Sequence, residues 1–67
     1  MHRVTVNGKQ RAIEEGTTMS ELIDSLGLHE QAVAVEFNRR ILKRSEFSGR
    51  LLADGDRIEI VRFVQGG

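Results

Sequence analysis

The residues of this 67-residue chain that could do chemistry are few, and the most suggestive are the last three, Gln65-Gly66-Gly67. Two closing glycines have no Cβ, so the backbone there can pass through a channel that any side chain would obstruct. The α-carboxylate at Gly67 has an ordinary pKa of about 3.3–3.7 and is ionised at neutral pH. In that state it can attack the α-phosphate of ATP, and the acyl-adenylate so formed is open to displacement by a second nucleophile. Little else competes for a chemical role. There is no Cys, and Ser20, Ser25, Ser45 and Ser48 have no nearby His to activate them. His2 and His29 stand far apart, make no metal site without further ligands, and read as plain surface residues. The chain is therefore expected to be no enzyme but a substrate for another protein's active site, with no catalytic residue, metal or bound cofactor of its own.

Composition narrows the class further. Sixty-seven residues make one small domain that buries only about 60% of its unfolded surface, so most apolar faces must be committed to a core. Ten Lys and Arg balance ten Asp and Glu, which argues against a general nucleic-acid binder. No apolar run approaches the ~20 residues of a membrane span and no secretory leader is evident. A cytoplasmic protein, monomeric when free, is the expectation.

The elements that must hold the terminus follow from periodicity. Asp54-Gly55-Asp56 is a turn, and Arg57-Ile58-Glu59-Ile60 alternates as a half-buried strand. Beyond Ile60 the phase slips, placing Val61 and Phe63 on the opposite face from Ile58 and Ile60. Either a bulge turns Phe63 into the core, or Val61 and Phe63 form an outward apolar patch suited to a partner. Upstream, Asn7-Gly8 between His2–Val6 and Lys9–Ile13 marks a two-residue hairpin, pairing Val6 with Lys9, Val4 with Arg11 and His2 with Ile13. That face mixes apolar with basic residues, a tension that Arg11 can relieve by laying its stem along the core edge.

Thr18-Met19-Ser20-Glu21 fits a capping box, and Met19, Leu22, Ile23 and Leu26 form one apolar stripe of a helix about nine residues long. Gly27 suits the left-handed position after it, with Leu28 folding back. Val33, Val35 and Phe37 alternate as a strand, Asn38-Arg39-Arg40 turn, and Ile41-Leu42 begin a short return strand. Lys43 to Gly49 is irregular with Phe47 its anchor, and Leu51 and Leu52 are expected to dock together. A hairpin followed by a crossover helix should set the later strands parallel to the first. The fold class is then α+β, a ubiquitin-like β-grasp: a mixed sheet around one main helix, the final strand central. Residues 1–65 form the domain and 66–67 a flexible Gly-Gly tail.

Together these features resemble the ThiS family of sulfur carriers across essentially the whole chain. The likeness rests on the Asn-containing hairpin turn, Gly16-Thr17-Thr18 entering the helix, Asn38 after the third strand, Leu42-Lys43-Arg44, Asp54-Gly55-Asp56 and the terminal Gly66-Gly67. Lys43 and Phe47 depart from it, standing where the family often has Pro and Trp. The resemblance implies that Gly67 is adenylated by a ThiF-like enzyme using ATP. A persulfide donor then converts it to a thiocarboxylate that serves the thiazole synthase ThiG in thiamine biosynthesis. Relatives of the same chemistry serve molybdopterin, tRNA thiolation or cysteine synthesis, and ubiquitin-type modifiers share the fold; these alternatives stay open. Arg39, Arg40, Lys43, Arg44 and Arg50, opposed only by Glu46, read as a solvated rim or as a steering surface for an acidic partner.

Overall fold

The Asn7-Gly8 turn, with φ of 49° and 83°, joins β1 (His2–Val6) to β2 (Lys9–Ile13) in the expected register, His2 opposite Ile13 and Val6 opposite Lys9. This is seen in a computed structural model that describes residues 1–63. The mixed inner face of the hairpin is resolved by position: β2 is the sheet edge, Lys9 and Arg11 are exposed, and of β2 only Ile13 is buried.

The helix α1 (Met19–Ser25) starts at the capping box. The Glu21 N–H donates to Thr18 Oγ1 at 3.2 Å and the Thr18 N–H to Glu21 Oε1 at 2.9 Å. Gly27, at φ 74°, ends it: its N–H reaches the Asp24 carbonyl at 2.9 Å and the Leu28 N–H reaches Ile23 at 3.1 Å, the Schellman pattern. With its caps Thr18 and Leu26 the element has the expected length. So short a helix is marginal alone in water, and it gains stability by burying Met19, Leu22 and Ile23 against the sheet.

A 3-10 turn (Glu30–Ala32) leads into β3 (Val33–Phe37), and the turn Asn38-Arg39 returns the chain as β4 (Arg40–Leu42). The final strand β5 (Arg57–Arg62) inserts between β1 and β3, giving the order β2-β1-β5-β3-β4. It is central, as expected. The expectation that later strands run parallel to the first holds for β5 and β4 but not for β3, which is antiparallel to both of them and so to β1. The reason is that the crossover helix links β2 to β3, and it is those two strands that share a direction. The architecture is the β-grasp, a five-stranded mixed sheet on one main helix.

Two stretches differ from the sequence-based expectation. Arg44–Gly49 is a 3-10 helix rather than irregular chain, with Phe47 buried beneath it. Leu51 does not dock: it is 61% exposed, whereas Leu52 is buried. The segment makes a short bridge to the helix entry, Leu52 N–H to the Thr17 carbonyl at 2.9 Å and Met19 N–H to the Arg50 carbonyl at 2.9 Å. In extended backbone neighbours face opposite ways, so only one leucine can enter the core. That core runs from Val4 and Ile58 in the middle of the sheet to Met19, Leu22 and Phe47 above it, and no polar side chain among the described residues is buried in it.

Candidate docking face and the base of the C-terminal segment

Any work at the chain's end depends on how firmly β5 is held just before it. β1 pairs β5 only at Thr5–Arg57 and Val6–Ile58, then the hairpin turns away. The turn asparagine carries the ladder further. The Asn7 N–H donates to the Ile58 carbonyl at 2.9 Å; its Oδ1 accepts from the Ile60 N–H at 2.7 Å and its Nδ2 donates to the Ile60 carbonyl at 3.1 Å. One amide thus acts as an extra strand residue. It can do so because φ of 49° at Asn7 turns the side chain back over the neighbouring strand.

The start of β5 is fastened by the other turn asparagine. The Asn38 N–H donates to the Arg57 carbonyl at 2.7 Å, Asn38 Oδ1 accepts from the Arg57 N–H at 2.8 Å, and Asn38 Nδ2 reaches Asp56 Oδ1 at 3.1 Å. Asp56 Oδ2 closes its own turn by accepting from the Ala53 N–H at 2.7 Å, and Asp54 Oδ1 accepts from the Arg3 N–H at 2.7 Å. The sequence marked both asparagines as turn formers and Asp54-Gly55-Asp56 as a turn. It offered no signal that their side chains converge on β5, because those partners lie 18 to 53 positions away.

The two readings of Val61 and Phe63 are now separable. Pairing of β5 with β3 is unbroken from Ile58–Phe37 to Arg62–Val33, so no bulge shifts the register. Val61 is 61% exposed and Phe63 49% exposed, on the face away from the helix. The Phe63 N–H donates to the Ala32 carbonyl at 2.8 Å, continuing the ladder one step past β5. Gln65, Gly66 and Gly67 lie outside the described residues.

Two apolar residues that sequence reading did not place join this face. Ala34 sits directly across from Val61, and Ile41, 82% exposed, sits across from Glu36. Ala34, Ile41 and Val61 line a shallow depression framed by Glu36 and Glu59. Strand alternation held a partial signal for Ile41, since burying Leu42 turns its neighbour outward. Glu36 and Glu59 are themselves directly opposed across β3 and β5, a like-charge pair that disfavours the isolated sheet.

The basic residues divide into committed and uncommitted groups. The Arg44 guanidinium donates to the carbonyls of Glu30 at 2.9 Å and Val33 at 3.3 Å, tying the 3-10 helix to the start of β3. The Arg50 guanidinium lies over the Phe37 ring, 5.2 Å from its centre. Glu46 is turned to the Lys43 N–H at 3.0 Å, so the one acid of the region caps a helix end. Arg39, Arg40 and Lys43 are exposed. No group of three or more His, Asp or Glu side chains able to hold a metal occurs among the described residues, and no helix of the structure is long and apolar enough to cross a membrane.

With the geometry in place, the chain can be set beside known proteins. The family model described as the ThiS family matches residues 4–67. Thiazole synthases from Paramagnetospirillum magneticum and Magnetococcus marinus are each 35% identical over 65 residues, which are 97% of this chain but 20% of theirs. The chain thus spans about a fifth of the length of those curated relatives. The sulfur carrier protein ThiS of Thermus thermophilus is 38% identical over 64 residues, 96% of this chain and 98% of that one. Among solved structures, the crystal structure of the thiamine biosynthesis protein ThiS from Geobacter metallireducens superposes with a TM-score of 0.76 at 33% identity, covering 97% of this chain and 99% of that one. Matched along nearly its whole length in both sequence and fold, the chain belongs to the ThiS family.

Proposed function

We propose that this protein is a sulfur carrier whose C-terminal Gly67 is the loading point, and that the sulfur is used to build the thiazole of thiamine. The carboxylate attacks the α-phosphate of ATP in the site of a ThiF-like enzyme, releasing pyrophosphate and forming an acyl-adenylate. The terminal sulfur of a persulfide displaces AMP, and thiol cleavage of the resulting acyl disulfide leaves a thiocarboxylate at Gly67. This chain supplies the acyl group, its presentation and a docking face; ATP and persulfide are held by partner enzymes. Having no Cys, it offers no side-chain thiol as an alternative sulfur carrier.

One observation carries the reading. A central strand, fastened by Asn7 and Asn38, ends in outward-facing Val61 and Phe63 four residues before the terminus. A rigid base and an apolar landing surface stand where a glycine end must be delivered to another protein, and exposed apolar area of that kind marks interfaces. Homology to one fifth of two thiazole synthases supports a thiazole synthase, ThiG, as the enzyme that takes the sulfur.

Intact-mass analysis tests the reading. The full chain is incubated with a ThiF-like enzyme, ATP and a persulfide source. A gain equal to exchange of one oxygen for one sulfur, confined to the terminal residue, is expected. Conjugates linked through Gly67 to lysines would refute the carrier in favour of a protein modifier.

A further inference from the structure

The two hairpin turns of this fold share positive φ at both central positions but differ in residues. Asn7-Gly8 has φ of 49° and 83°, and Asn38-Arg39 has φ of 50° and 71°. Glycine takes the second position of such a turn without penalty, whereas a residue with a Cβ is strained there. Arg39 is therefore held in an unfavourable conformation at a solvent-exposed tip where glycine would serve the fold better. Strain kept at an exposed charged residue points to a use for the charge.

That charge is not isolated. Residues 39–50 carry Arg39, Arg40, Lys43, Arg44 and Arg50 against Glu46, a net charge of +4, while residues 14–38 carry six acids and no Lys or Arg. A chain that is neutral overall thus segregates its charge along the sequence, with the basic run falling on β4 and the 3-10 helix that follows it. Glu46 caps that helix; it lines one cleft together with Arg40 and with Arg50, whose guanidinium lies over the Phe37 ring. Ile41 borders this cleft and also lines the apolar depression with Val61, so the two surfaces meet around the β4 edge.

We propose that the β4 edge, led by Arg39 and Arg40 with Arg50 behind them, is a docking surface for the carboxylate-rich face of the enzyme that activates the C-terminus. The proposal rests on the carrier reading for the identity of that enzyme. The cleft opens on the Phe37 face of the sheet and the Val61 depression on the other, so an enzyme using both must grip the β4 edge where Ile41 borders each. The positive edge orients the approach, and the apolar face seats it, a division in which charge governs association rate. Nucleic acid fits the same surface less well. The one aromatic there, Phe37, is covered by Arg50 and offers no stacking platform, and the six acids of residues 14–38 repel a long polyanion.

The experiment measures association of the full chain with its purified adenylating enzyme by stopped flow, from about 50 to 500 mM NaCl. The double variant Arg39→Glu/Arg40→Glu is expected to associate roughly tenfold more slowly at low salt, with the difference fading as salt rises. Arg39→Gly is expected to melt a few degrees higher and still associate more slowly. A double variant within twofold of the parent at every salt concentration overturns the proposal, as does an Arg39→Gly protein that is neither stabilised nor slowed. Salt-sensitive binding to single-stranded RNA that the same substitutions abolish, with enzyme association unchanged, overturns it in favour of nucleic acid. The mass of Gly67 is read in parallel. Thiocarboxylation with charge-insensitive association sinks this surface alone, whereas charge-sensitive association without any modification of Gly67 sinks the carrier reading and keeps the surface.

Discussion

Replacing Asn7 with Gly isolates the side-chain clamp on β5 from the turn that carries it. Glycine adopts the left-handed φ of 49° freely, so the hairpin keeps its geometry while two hydrogen bonds, to the Ile60 N–H and the Ile60 carbonyl, are lost. Each such bond contributes about 0.5–1.5 kcal/mol net, and the pair is partly shielded from solvent, so a loss of roughly 2 kcal/mol follows. For a domain of this size each kcal/mol moves Tm by about 4–8 °C, placing the variant roughly 8–16 °C below the parent. Urea denaturation monitored by circular dichroism measures the first quantity. Amide exchange at Ile60 supplies a local readout, and its protection should fall on the order of tenfold or more beyond the general loss. The Val61 and Phe63 base then loosens, and activation of the C-terminus should show a raised KM with an unaltered terminal residue. A variant within about 0.5 kcal/mol of the parent, with Ile60 exchange unchanged, would show that β5 is held by β3 alone and that the clamp is incidental.

Other perturbations separate fold from function. Phe47→Ala empties the space beneath the 3-10 helix and should destabilise by about 3–5 kcal/mol, enough to unfold most of a small domain at 37 °C; a cooperative melt near the parent Tm contradicts its anchoring role. Thr18→Ala removes the cap acceptor of the Glu21 N–H and should cost about 1 kcal/mol in urea titration, with the apolar stripe still packed. Phe63→Ala, at a half-exposed position outside the core, is expected to leave Tm nearly unchanged while lowering the rate of activation at limiting adenylating enzyme. Deleting Gly67 should leave the melt intact and abolish thiocarboxylation, as judged by intact mass.

The local elements of this protein were legible because each is written in neighbouring residues. Asn7-Gly8 specifies the hairpin and its register, Thr18 with Glu21 the helix start, Gly27 its end, and the alternation Val33-Val35-Phe37 the third strand. The 3-10 helix at Arg44–Gly49 escaped because its side chains repeat neither every second nor every fourth residue, leaving only Phe47 as a mark. The direction of β3 differs from the expectation because the crossover rule relates the strands the helix joins, β2 and β3, and not β1. A phase slip after Ile60 looks the same in sequence whether it is a bulge or an outward patch at Val61 and Phe63. Only the unbroken β3–β5 pairing separates them.

The periodic elements, the basic run of residues 39–50 and the glycine ending are properties of residues close along the chain and can be read from it directly. How those pieces meet depends on the assembled fold. It brought Asn7 across 53 positions to Ile60, set Ala34 and Ile41 beside Val61, and laid Arg50 on Phe37. Such contacts are created by strand order, and strand order follows from burying the whole apolar set at once, which no local window of the chain contains.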